Sequence, residues 1–150
     1  MRVTCLLSFG DRNEAETIIL TGQELLGDKF ASIQDKLPYD EYSRMIREEM
    51  DILVLAHLAQ AGLGHLYMFL SLGKPVYIRR ETPVFGFMSQ LNIEVRATND
   101  IPAMSFEEFR KPLTYQSAKR NIQNFNRYLS TEASVESCRH LIRLLRGGHE

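Results

Sequence analysis

Residues 52–73 contain no formally charged side chain. An apolar run of that length can be a helix crossing a bilayer or the interior of a soluble core. Its contents decide between them. His57, Gln60, His65 and Ser71 lie inside it, and Gly62 and Gly64 interrupt it midway. A spanning helix would hold those polar groups in hydrocarbon at considerable cost, so the run reads as soluble core. Residues 52–55 are a short aliphatic segment, the pattern of a strand buried on both faces. Gly62 and Gly64 flank Leu63 where a tight turn would feed a helix, and Gly73 stands where that helix should stop. Lys74-Pro75 then leads into Val76-Tyr77-Ile78, a second buried strand, followed by Arg79, Arg80 and Glu81. In a strand–helix–strand unit the crevice lies beyond the carboxyl ends of the strands, where helix amides meet an anion. Both arginines fall at that edge, so residues 51–83 predict a site for a phosphorylated ligand.

The rest of the composition narrows the setting. A chain of 150 residues, 44% hydrophobic, can bury one core, and one domain is expected. Its 18 basic and 19 acidic side chains leave a net charge of -1, which gives no field for bulk nucleic-acid binding. Two cysteines, Cys5 and Cys138, are too few for a disulfide scaffold or a zinc site and read as small apolar core residues. Met1-Arg2 runs straight into a strand without a leader pattern, so a cytoplasmic location is expected.

Taken in order, residues 3–9 are the first strand, ended by Gly10 and Asp11. Asn13 with Glu16 fits a helix N-cap, and Ala15, Ile18, Ile19, Gly22, Leu25 and Leu26 give that helix its stripe. Residues 30–33 are a second strand. Pro38 opens a helix that buries Tyr42, Met45 and Ile46 and leaves Glu48 and Glu49 to solvent. Beyond the central unit come a short helix at 85–91, a last strand at 93–96 and a helix capped by Ser105 and Glu108 that stops near Pro112. Residues 117–129 carry Ile122, Phe125 and Leu129 on one helical face. Ser134 opens a final helix with a stripe of Val135, Cys138, Leu141, Ile142 and Leu145, while Arg139, Arg143 and Arg146 face outward as a solvated face. The alternation predicts an α/β fold: an open, mainly parallel Rossmann-like sheet of five strands with helices on both faces and a C-terminal helical extension. Residues 1–112 form the sheet domain, 113–146 the helices packed on it, and 147–150 a disordered tail.

These residues carry a resemblance. Leu37 with Asp40 and Tyr42, the Gln60-x-Gly62-x-Gly64 turn, Gly73-x-Pro75, Arg80-Glu81-x-Pro83 and the Asn13-Glu14-Ala15 stretch follow one another in an order that resembles the carboxyl-terminal half of a GT-B glycosyltransferase. More narrowly, they resemble the bacterial family that transfers N-acetylfucosamine from a TDP-sugar to a lipid-linked disaccharide in enterobacterial common antigen synthesis. Members of that family are about twice this length, with two Rossmann-like domains facing across a cleft. The resemblance therefore implies a fragment or a reduced homologue, without the acceptor-side domain and without the first strand–helix unit of the donor-side domain. Where the family has an arginine before the glutamine, this chain has Ala59. The resemblance implies a peripheral location on the inner face of the inner membrane, a TDP-sugar and a lipid-linked saccharide as partners, and no cofactor.

On that footing the donor-binding residues are Gln60, Gly62, Gly64, His65, Arg79, Arg80 and Glu81, and no catalytic residue is assigned. Amides near Gly62, Gly64 and His65 would hold the diphosphate leaving group while Arg79 or Arg80 neutralises it. His65 would donate to a phosphate oxygen, or else cap its helix or be buried. Glu81 would accept from a sugar or ribose hydroxyl, or pair with a neighbouring arginine. His57 reads as core. No Asp-x-Asp occurs, so no metal is expected to bridge the diphosphate. The competing reading is a stand-alone flavodoxin-like or receiver-like binding or signalling module without transferase activity.

Overall fold

Parallel strand pairing organises both units into which the chain divides, Met1–Tyr42 and Ser43–Glu150. The structure is a computed structural model describing residues 1–58 and 62–147, with side chains placed through residue 144.

The first unit is a strand–helix–strand: β1 (Val3–Leu6), α1 (Arg12–Leu26) and β2 (Phe30–Ile33). β1 and β2 pair in parallel, with Val3 opposite Phe30 and Leu6 opposite Ile33. β1 stops at Leu6, short of the expected Phe9, because residues 8–10 bend and leave Phe9 78% exposed. The cap of α1 is Asp11 and not Asn13. Asp11 has extended backbone, and its Oδ1 accepts from the N–H groups of Asn13 at 2.8 Å and Glu14 at 3.1 Å. Ala15, Ile19 and Gly22 make the half-buried stripe of α1, whereas Ile18, Leu25 and Leu26 are exposed. Gly22 sits hard against β2, since a Cβ there would lie 2.3 Å from the Phe30 ring. None of the described residues of this unit is fully buried.

The core belongs to the second unit. α2 (Tyr39–Glu48) leads into it and buries Ile46, with Tyr42 and Met45 half-buried as expected. Then follow β3 (Leu53–Leu55), α3 (Leu63–Ser71), β4 (Val76–Ile78), α4 (Pro83–Gln90), β5 (Arg96–Ala97), α5 (Phe106–Arg110), α6 (Tyr115–Tyr128) and α7 (Thr131–Gly147). The strands form a parallel sheet in the order β3-β4-β5, with Leu55 opposite Ile78 and Ile78 opposite Ala97. Among the described residues the five strands thus pair as two sheets and not as one. The central strand β4 is buried throughout, and Leu66, Phe69 and Leu70 of α3, Met88 of α4 and Phe125 of α6 share its core. β3 is an edge strand with Val54 43% exposed, so it is not covered on both faces as its aliphatic sequence predicts.

Side chains from distant elements set several boundaries. The Asn121 amide accepts from the Glu94 N–H and donates to the Glu94 carbonyl, both at 2.8 Å. The main chain at Glu94 is therefore bonded to a helix side chain, and β5, at Arg96–Ala97, shares only Arg96 with the strand expected over 93–96. α6 accordingly buries Ser117 and Asn121 beside Phe125, while Leu129 is 50% exposed and leaves the predicted stripe. Gly73 has a φ of 66°, and a Cβ there would come within 3.0 Å of Ile122 and 3.2 Å of Ala118, so α6 closes on bare backbone. Ser105 and Glu108 form the expected capping box at α5. α7 starts earlier than predicted, at Thr131, where Ser130 Oγ accepts from the Ala133 N–H at 3.1 Å. Neither cysteine is core: Cys5 is half-buried, which pushes its thiol pKa up, and Cys138 is exposed. Gly147 ends α7, and the rest of the expected tail, 148–150, lies outside the described residues.

Candidate functional site

Of the expected site residues that are described, Gly62, Gly64 and His65 follow β3, and Arg79, Arg80 and Glu81 follow β4, beyond the carboxyl-terminal ends of those parallel strands. Gly62 stands at the N-cap of α3 with a φ of 70°, a left-handed conformation that glycine adopts without strain. It accepts from the Leu66 N–H at 3.0 Å and makes no side-chain cap. A Cβ at Gly62 would lie 3.2 Å from Leu55, 3.5 Å from the His65 ring and 3.7 Å from the His57 ring. Two imidazoles and the last residue of β3 therefore close around one bare stretch of backbone. Gly64 is not part of that turn. It lies in the first turn of α3, with nothing within 4 Å of where a Cβ would stand. His65 is half-buried, and desolvation holds its pKa below the ordinary histidine value, favouring the neutral ring. His57 is exposed beyond the end of β3, so the core assignment fails because the strand ends at Leu55. Gln60 lies outside the described residues.

On the β4 side, the Arg79 N–H continues the ladder to Leu55 O at 3.3 Å, and Arg79 Nη1 reaches the Ala56 carbonyl at 3.4 Å. That contact ties the arginine to the segment leading from β3 towards Gly62. Arg79 Nε also faces Glu81 at 3.6 Å. Thr82 Oγ1 donates to the Arg79 carbonyl at 2.7 Å and fixes the turn into α4. Arg80 has other company. Its Nη2 donates to both oxygens of Asp100 at 2.8 Å, and its N–H donates to Asn99 Oδ1 at 3.1 Å. Asn99 Nδ2 donates in turn to Glu81 Oε1 at 2.8 Å. Glu81 is thereby kept below the usual carboxylate range, chiefly by a main-chain hydrogen bond and then by the Asn99 amide, with Arg79 adding to both.

Asn99 and Asp100 are not among the residues singled out from sequence. A signal for them exists: they follow β5, and in a parallel sheet the segment after each strand reaches the same edge. Their presence changes the electrostatics. Arg79 and Arg80 sit with Glu81 and Asp100, so the cluster carries two positive and two negative side chains. Glu81 pairs with Arg79 across 3.6 Å. The edge can donate from guanidinium and amide groups and accept at carboxylates, a mixture suited to a ligand with both anionic and hydroxyl groups.

Among the described residues no three His, Cys, Asp or Glu side chains converge as a metal site, and no helix is long and apolar enough to cross a membrane. An open groove lined by Ala133, Glu136, Ser137 and His140 lies on α7, at residues distinct from this edge. Comparison of the chain with protein-family models, curated proteins and solved structures found no match in any of the three.

Proposed function

We propose that this chain is the donor-binding half of a GT-B glycosyltransferase. It would hold a TDP-sugar, such as TDP-N-acetylfucosamine, for transfer to a lipid-linked saccharide in cell-surface polysaccharide synthesis at the inner face of a bacterial membrane. In this reading β3-β4-β5 is the centre of an open Rossmann-like fold. The observation that carries it is the placement of the Gly62-led start of α3 after β3 and of Arg79 and Arg80 directly after β4, at the same end of a parallel pair, with Arg79 bonded to Ala56 O beyond β3. The charge on a nucleoside diphosphate grows as the glycosidic bond breaks. First-turn amides of α3 would take up that charge without reorganising, and the two guanidiniums would neutralise it. Glu81, ionised and anchored by Asn99, would accept from a hydroxyl of the donor.

Calorimetric titration with TDP tests the reading. Wild type is expected to bind weakly, and Arg80→Ala to bind roughly ten- to a hundredfold more weakly, the loss of one charge-assisted contact. Arg143→Ala, on α7, is expected to match wild type. If wild type takes up no nucleotide, or if both variants bind equally well, the donor site is not here.

A further inference from the structure

Arg79 and Arg80 each face a carboxylate, but only one of the pairs is closed. Arg80 Nη2 donates to both Asp100 oxygens at 2.8 Å, so these partners largely satisfy each other. Arg79 Nε and Glu81 Oε2 stand 3.6 Å apart, beyond ordinary hydrogen-bond length. A guanidinium carries about five N–H donors and a carboxylate about four acceptor positions. Arg79 commits Nη1 to the Ala56 carbonyl at 3.4 Å, and Glu81 commits Oε1 to the Asn99 amide at 2.8 Å. The two side chains are 40% and 53% exposed, so the remaining donors and acceptor positions are open to water next to one another.

Asn99 sets the orientation of the carboxylate. Its Nδ2 donates to Glu81 Oε1, and its Oδ1 accepts from the Arg80 N–H at 3.1 Å. One amide thus ties the carboxylate to the main chain beside it and leaves Oε2 on the Arg79 side.

A cationic donor beside an anionic acceptor reads a ligand in which an anionic oxygen and a hydroxyl are neighbours. In a nucleotide sugar the phosphate hangs on the anomeric carbon, and the very next carbon can carry a hydroxyl. In the deoxyribose of TDP another carbon lies between the phosphate-bearing carbon and the hydroxyl-bearing one. The tighter spacing is the better match to a donor and an acceptor 3.6 Å apart.

We propose, on the donor-binding reading above, that Arg79 and Glu81 together read the glycosyl phosphate. Arg79 takes a phosphate oxygen, Glu81 accepts from the hydroxyl beside the anomeric carbon, and Asn99 is the positioning residue that holds Glu81 for it. The site then selects sugars that keep this hydroxyl.

Calorimetric titration of the full chain with TDP, with TDP-glucose and with the TDP-glucose analogue lacking that hydroxyl tests this. The two sugars carry the same charge, so the ratio of their affinities isolates the hydroxyl. Wild type is expected to bind TDP-glucose about three- to tenfold more tightly than the analogue, the effect of one hydrogen bond to a charged group at an edge open to water. Glu81→Ala and Asn99→Ala are each expected to bring the two sugars within about twofold of each other while still binding TDP. A merely structural role for Asn99 would weaken both sugars alike and leave the ratio unmoved. Equal binding of the two sugars by a wild type that binds TDP overturns the hydroxyl contact and leaves the donor site standing. A wild type that binds none of these ligands overturns the donor site and the contact with it. A preference that survives in Glu81→Ala removes Glu81 from the contact. A preference kept in Asn99→Ala, or lost there together with TDP binding, overturns the positioning role.

Discussion

One guanidinium nitrogen of Arg80, Nη2, donates to both carboxylate oxygens of Asp100 at 2.8 Å. The two side chains are 56% and 49% exposed, and a pair so open to water contributes little to stability, about 0–1 kcal/mol. Its larger effect is on what the edge can bind. An anion arriving at Arg80 meets a cation already engaged, and must share it or displace Asp100. The Arg80 main chain is held at the same time by Asn99, which also anchors Glu81, so the whole loop is braced from the end of β5.

If the edge binds a nucleoside diphosphate, Asp100→Asn should therefore bind TDP more tightly than wild type, by roughly three- to tenfold, as one nearby negative charge is removed. The gain should shrink as salt is raised. The melting temperature should move by no more than a few degrees, in keeping with an exposed pair. Calorimetry at low and high salt checks both points, and weaker binding by Asp100→Asn would mean that Asp100 itself contacts the ligand.

The elements were largely legible in the sequence because aliphatic runs and helical periodicity report burial directly. Val76-Tyr77-Ile78 reads as a buried strand and is the most completely buried one. The limits of the elements were not, since partners far along the chain set them: Asn121 for the strand around Glu94, Gly73 against Ile122 for the close approach of α6. Periodicity also cannot tell whether an apolar stripe is covered. Ile19 and Ile142 look alike in their helices, but one is half-buried and the other exposed. The same distinction holds at the site. The two arginines are placed at the edge by following β4, while Asp100, twenty residues beyond Arg80, becomes a neighbour only through the pairing of β4 with β5.

Asn121 is fully buried and spends its amide on both main-chain groups of Glu94. Asn121→Leu keeps the approximate volume but leaves an N–H and a carbonyl without their partners. Each such loss costs about 1–3 kcal/mol, and local relaxation should recover part of it, so a destabilisation of about 2–4 kcal/mol is expected. Urea unfolding with an unchanged slope checks the value. A loss below about 1 kcal/mol would show that water replaces the amide.

Lys74 holds the end of α2. Its Nζ donates to the carbonyls of Ile46 at 2.7 Å and Arg47 at 2.8 Å, and to that of Met50. Burial draws its pKa down while Asp51 opposes the shift, yet three main-chain acceptors hold a compact ammonium that also suits the negative end of a helix. Lys74→Met should cost about 1.5–3 kcal/mol in urea unfolding. Lys74→Arg should not restore it, because a planar fork cannot converge on three carbonyls as an ammonium does. Full rescue by arginine would reduce the contact to simple charge.

The last expectation concerns pH. His65 is half-buried, and desolvation puts its folded-state pKa below the ordinary 6.5. The folded chain thus takes up this proton at a lower pH than the unfolded chain does. Above 6.5 the ring is neutral in both states and contributes nothing to the pH dependence. As pH falls from 6.5 towards the folded pKa, the unfolded state binds more protons, and stability is lost through that window. Glu81 and Glu108 act elsewhere. Their folded pKa values are depressed below 4.5, so the stability they contribute is present above that value and is lost as pH falls through the lowered ones. A comparison at pH 7.5 and 5.5 consequently isolates the histidine from the two carboxylates. Urea unfolding of wild type should show lower stability at 5.5, and His65→Gln, with no proton to gain, should show a smaller decrease. An equal decrease in both proteins would mean that His65 titrates alike in the folded and unfolded chain, and that burial at the start of α3 leaves its charge unopposed.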